Sequence, residues 1–182
     1  MATTTRANTF LQRLIGAAAL DSAIYEEVEA DPAATGQAMA VVLLSSVAMG
    51  IGAQGLGAGP SSFALFGVIA LITWAAWALM IFELGARFMP GRETRSNPYE
   101  LLRTLGYAAT PGFAAVLAAV PGVTVPVLVG TWVWMLFAMI VAVRQALDYT
   151  STWRAVSVCL LAWLLALTLA IGLGILFAPT VS

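Results

Sequence analysis

Residues Thr9 to Leu20 place Phe10, Leu11, Leu14, Ile15 and Ala18 at helical spacing, with Gln12 and Arg13 opposite. That pattern predicts a short amphipathic helix lying on a membrane surface. A second short helix, Asp21 to Ala30, turns Ile24, Tyr25 and Val28 inward and carries Glu26, Glu27 and Glu29 outward as a solvated face. "DPAATGQ" then opens a long apolar stretch: Asp31 suits a cap and Pro32 a first helical position. The run continues through "AMAVVLLSSVAMGIGAQGLG", whose far half holds a GxxxG at Gly55 and Gly59, before a turn at Pro60. A second apolar stretch, 62–88, includes Trp74 and Trp77, and the polar loop "MPGRETRSNP" follows it. Leu105 to Val143 then carries no charge for 39 positions. One straight helix of that length would be about 58 Å long, nearly twice the hydrocarbon thickness of a bilayer. The stretch must therefore fold back, and "VPGVTVP" at 120–126 is the place for it.

The pattern predicts an all-α integral membrane protein. Short amphipathic cytoplasmic helices in segment 1–31 precede a membrane domain, 32–182, with spans near 33–57, 62–88, 99–120, 123–143 and 155–178. The arginines test that count. With five spans, Arg6 and Arg13, then Arg87, Arg92, Arg95 and Arg103, then Arg144 and Arg154 all fall at one face, and the opposite turns hold no charge. By the positive-inside rule the N-terminus is cytoplasmic and the C-terminus outside. The first thirty-six residues, with two Arg, five acids and no continuous apolar core, do not read as a signal peptide, so the first span is the expected insertion signal.

Composition sharpens the class. The chain is 61% hydrophobic and 9% charged, where a soluble domain carries about a quarter charged residues. Every basic residue is Arg, which with abundant Ala, Gly and Val points to a GC-rich bacterial genome and an inner (plasma) membrane. Histidine is absent, which removes a Ser-His-Asp triad, an HExxH zinc site, imidazole-held haem and a histidine pH switch. The one cysteine, Cys159, sits in an apolar run and reads as a packing residue. No catalytic residue, metal or cofactor is expected, and no nucleic acid.

Gly106-Tyr107-Ala108-Ala109-Thr110-Pro111 has the form GYxxxP and opens the third span. With "LDSAIYEEVEADPAATGQA" before the first span, "RETRSNPYELLRTLGYAATPG" into the third and "VAVRQALDYTSTWRA" joining the last two, the chain resembles the Yip-domain family, in its bacterial branch. Those five-span membrane proteins are named for interaction with Ypt/Rab GTPases, and the likeness runs from about Phe10 to Leu165. The acidic DLYGP-type motif tied to GTPase interaction in eukaryotic members has no match here, so the resemblance carries over no GTPase partner.

The residues themselves suggest specific roles. Pro111 lacks an N–H and crowds the carbonyl of Tyr107, so the third span should kink there, with Thr110 or water serving the freed carbonyl. Tyr107 reads as an anchor at headgroup depth, ring in the apolar zone and hydroxyl toward polar groups. Glu83 and Arg87 have the spacing of an i,i+4 pair. Arg103, Arg144, Asp148 and Arg154, with Glu83 and Glu100, offer either a charged clamp across span ends or, through the arginines, a surface for anionic lipid. The set Glu83, Arg87, Arg103, Gly106, Tyr107, Thr110, Pro111, Arg144, Asp148 and Arg154 forms the candidate structural, partner or lipid contacts. The expected function is a non-enzymatic scaffold, adaptor or accessory subunit of a membrane assembly. Its expected partners are membrane lipids and a protein partner or second copy within the membrane; a small transporter, channel or lipid-binding protein is the alternative. Phe63, Phe66, Trp74, Trp77, Trp132, Trp134, Phe137 and Trp163 are too many large rings for so small a bundle to bury.

Overall fold

The computed structural model describes residues 8–54, 63–92 and 94–176, and within these the chain is helical without strands. Arg6, the Gly55–Gly59 motif, the Pro60 turn and the side chains of Phe63 and Phe66 lie outside the described residues. Two short helices, α1 (Phe10–Ala18) and α2 (Ser22–Ala30), form an antiparallel hairpin. Thr9 caps α1 with a reciprocal Gln12 bond, and Asp21 caps α2 through Ala23 N–H. Then come α3 (Ala34–Ala53), α4 (Phe63–Phe82), α5 (Pro98–Tyr107), α6 (Thr124–Ala146) and α7 (Thr152–Leu176). The described residues hold five segments long and apolar enough to cross a bilayer, which agrees with the predicted count.

Two spans depart from regular α geometry. α4 passes into a π-helical stretch, Glu83–Phe88, which the apolar pattern gave no sign of. There the Tyr149 hydroxyl lies 2.8 Å from both Gly85 O and Met89 O, so a side chain from the α6–α7 connection serves carbonyls of the widened turn. In the third span α5 stops at Tyr107, and the chain continues as a 3₁₀ helix, Thr110–Ala119. Pro111 sits at this break, as expected, and Thr110 Oγ1 donates to the freed Tyr107 carbonyl at 2.6 Å. After the 3₁₀ segment the turn at Pro121 closes through Gly122, whose φ of +88° is one that glycine adopts without a Cβ penalty.

The core is built on close approach of α3 to the third span, which run parallel. A Cβ on Gly106 would lie 2.6 Å from Ala38 Cβ, one on Gly112 would strike Ser45 Oγ, and one on Gly52 would lie 2.2 Å from the Ala115 carbonyl oxygen. Without hydrophobic drive between helices in lipid, such small-residue contacts are what hold spans together. α6 packs on the 3₁₀ segment, α4 lies against α3 and α5, and α7 closes the edge against α6 and the end of α4. The hairpin covers α5 and α6 at the end of the bundle that collects the arginines.

Candidate functional site

Three features lie at and below the arginine-bearing end. The first is a buried polar knot centred on Arg13, which is 4% exposed. Its guanidinium meets Glu27 at 2.9 Å and Asp31 at 2.8 Å, and donates to Gln37 Oε1 at 3.1 Å. Gln37 Oε1 also accepts from the Tyr107 hydroxyl, and Asn8 N donates to Glu27 at 3.1 Å. The knot joins α1, α2, the start of α3 and the end of α5. Burial works against the Arg13 charge, but the bonds from Asp31 and Glu27 outweigh it and hold its pKa above the ordinary value. Burial likewise opposes ionisation of Glu27, yet Asn8 and Arg13 hold it below the usual carboxylate range, and Arg13 does the same for Asp31.

This corrects two expectations and refines a third. Arg13 is not on a solvated face: α1 turns Phe10, Arg13, Leu14 and Ala17 to the protein and leaves Leu11 and Ile15 exposed. Glu27 is not outward either, because it completes the buried pair. Tyr107 points its hydroxyl toward polar groups, as expected, but does so inside the protein rather than facing lipid. Its side chain is fully buried, with its ring edge-on to Phe10 at 6.4 Å and its hydroxyl in the knot.

The second feature is an acidic cleft of about 500 Å³ between α2, α5 and the α6–α7 connection, lined by Glu26, Glu29, Glu100, Asp148 and Arg144 among others. Glu29 is half-buried rather than outward, and burial, then the nearby Asp148 and Glu100 carboxylates, push its pKa up to about 7 despite Arg103. The expected charged clamp does not form as pairs among these residues. Arg103, 6% exposed, donates instead to the backbone oxygens of Val28 and Glu29 at 3.0 Å, capping the end of α2. Arg144 Nε reaches Tyr149 O at 3.3 Å, and Asp148 accepts from Arg95 N at 3.2 Å. Arg154 reaches Pro90 O at 3.2 Å and lies over the Tyr149 ring; Glu100 serves the Asn97 cap. Glu83 meets Arg87 at 2.8 Å, an i,i+4 pair with both side chains well exposed. Glu26 bonds Gln145 at 2.8 Å across α2 and α6.

Glu29 gives the hairpin a pH dependence of definite sign. Its native pKa lies above the ordinary 4.5, so its contribution is full below pH 4.5 and is lost as pH rises through about 7. Thermal stability should fall between pH 5 and pH 8 by about 1–2 kcal/mol, a figure already reduced for solvent screening of a half-exposed group. Glu29→Gln should flatten that slope in a melting series; an unchanged slope would place the titrating group elsewhere.

The third feature lies inside the spans. An apolar groove of about 560 Å³ opens between α4, α5, α6 and α7, lined by Trp74, Trp77, Trp132 and Trp163 with Leu136 and Leu167. Trp74 Nε1 donates to Leu102 O at 3.1 Å, and Trp77 Nε1 approaches the Met139 sulfur at 3.2 Å. Trp163 meets Trp77 and Trp132 edge-to-face at 6.1 and 6.4 Å. Membrane tryptophans usually sit in interfacial belts; these converge well inside their helices. The surplus of rings is visible in the sequence but their convergence is not, since they come from three helices. Leu105, Ala108 and Ala109 form the fourth wall, so the segment around the α5 break borders the groove.

A bundle of five apolar helices with a polar knot at one end and an aromatic groove in its side defines a multi-pass α-helical membrane protein. The Yip1 domain matches residues 21–173, and the chain belongs to that family. No curated protein and no solved structure matches it.

Proposed function

We propose that the protein works by association rather than catalysis, as a scaffold, adaptor or accessory subunit of a bacterial inner-membrane assembly, with its N-terminus cytoplasmic. The observation that carries this reading is the groove: four tryptophans border a space of about 560 Å³ that the described side chains leave unfilled. Trp132 and Trp163 remain 49% and 43% exposed there. The flanking α6 and α7 faces expose Val133, Phe137, Leu160 and Leu164, and a helix from a partner or a second copy can pack along them through small residues and rings. The segregated arginines support the cytoplasmic placement of the knot and cleft. The buried ionic groups are spent on holding helices together, as the Arg13 contacts illustrate.

The same groove favours one second reading, in which a lipid chain fills it. A benzophenone amino acid at Leu136 or Leu167, activated in native membranes, separates the two. A discrete protein adduct is expected, absent when the probe replaces exposed Tyr99 outside the groove. Adducts to lipid alone would replace the scaffold by the lipid-binding reading.

A further inference from the structure

The α1–α2 hairpin reaches toward the middle of two spans. Trp134 Nε1 donates to Ala18 O at 2.8 Å, and Ala18 ends α1. Trp134 is the eleventh of the 23 residues of α6, which runs toward the arginine-bearing end at Ala146. Ten residues separate it from Arg144, the charge in the last turn at that end, about 15 Å at the helical rise, which matches a hydrocarbon half-thickness of about 15 Å. Helical side chains lean toward their own N-terminus, here away from the arginines, so the lean adds depth. Independently, α1 packs against the 3₁₀ segment Thr110–Ala119, the far half of the third span.

The end of α1 is built for a place without water. A helix normally leaves its last four carbonyls to solvent. Here Ile15 O accepts from Ala19 N at 2.9 Å, and Gly16 O from Asp21 N at 2.9 Å. Ala17 O accepts from Leu20 N and from the Tyr25 hydroxyl, both at 3.1 Å, and Ala18 O is taken by Trp134. All four are satisfied by protein, the condition that hydrocarbon imposes. The turn itself has Leu20 at φ 63°, the left-handed position that glycine usually fills. An apolar side chain occupies that strained position. From Leu14 to Leu20 every residue is apolar, and Leu11 and Ile15 face outward at 64% and 61% exposure.

We propose that α1 and α2 form a re-entrant hairpin in one leaflet, with the Leu11–Ile15 stripe seated against lipid acyl chains on the arginine-bearing side. The occupant of the stripe is lipid because the contacts that fix its depth are made to membrane spans. Asp21, just past the turn, caps α2 by accepting from the Ala23 N–H. The hairpin adds cross-section to that leaflet alone, which makes the protein wedge-shaped across the bilayer.

The test labels Ile15→Cys with an environment-sensitive fluorophore in the full chain, with Tyr99→Cys as the aqueous reference; both positions are exposed, and native Cys159 is buried. The protein is reconstituted into phosphatidylcholine vesicles with and without lipid brominated at mid-chain, and iodide serves as the aqueous quencher. Bromolipid should quench the Ile15 label several-fold more than the Tyr99 label, with iodide in the opposite order. Iodide quenching of both labels alike would overturn the proposal by putting α1 in water. Protection of the Ile15 label from both quenchers would overturn it by showing protein over the stripe.

Discussion

Replacing Gly106 with leucine will unseat the first span from the third and cost about 3 kcal/mol or more. Overpacked cores usually lose about 1–3 kcal/mol because side chains shift out of the way. At Gly106 that relief is missing. The nearest atoms to a new Cβ are Ala38 Cβ at 2.6 Å and Ala38 Cα at 3.1 Å, so the backbones themselves must part. Parting them would also strain the Tyr107–Gln37 contact one residue on, so the damage should reach the polar knot. Gly52→Leu should behave alike, since its Cβ would meet the Ala115 carbonyl at 2.2 Å, whereas Gly130→Leu meets open space and should be nearly silent. Unfolding in mixed micelles, monitored by tryptophan fluorescence, measures all three. Near-equal midpoints for Gly106→Leu and Gly130→Leu would refute the close approach.

Arg13→Met should be the most damaging single change in the hairpin, at about 3 kcal/mol. The guanidinium is 4% exposed and holds two carboxylates and an amide, so its removal leaves Glu27 and Asp31 beside each other without their counter-ion. Removing one member of a buried pair costs far more than replacing the whole set with neutral groups. The triple change Arg13→Met, Glu27→Gln, Asp31→Asn should therefore recover much of the loss, which a merely space-filling role for Arg13 would not produce. The pH dependence has the opposite sign to that of Glu29. Glu27 and Asp31 sit below their ordinary values, so their contribution is present above the ordinary carboxylate range and is lost as pH falls through the depressed pKa values. Limited proteolysis around Asp21, with thermal melting, separates hairpin release from global unfolding.

The spans were legible because a bilayer imposes a length rule and arginines mark one side of it. The predicted count of five agrees with the five apolar segments among the described residues, and the break at Pro111 follows from the missing N–H of one residue. What was not legible turns on which solvent surrounds a helix. The helical pattern puts Arg13 on an outward polar face because polar residues normally face water, whereas its partners Glu27, Asp31 and Gln37 lie on the protein side. Tyr107 is buried for the same reason, since Gln37, seventy positions earlier, accepts from its hydroxyl where no local pattern could show it. Arg103, which reads from the sequence as part of a charged clamp or of a surface for anionic lipid, caps α2, because carbonyls at a helix end compete well for a guanidinium. The π-helical stretch at Glu83–Phe88 has no periodic signature, and only the distant Tyr149 explains how its carbonyls are served.

Association within the membrane is measured most directly by the mass of the protein released from native membranes in a mild detergent. Native mass spectrometry should find the 19.0 kDa chain in a defined complex, either with a stoichiometric partner or with a second copy. Filling the groove by Ala109→Trp should weaken that complex while leaving the melting midpoint of the isolated chain close to its original value. Recovery of the chain alone, as a monomer without a specifically retained lipid, would contradict the account.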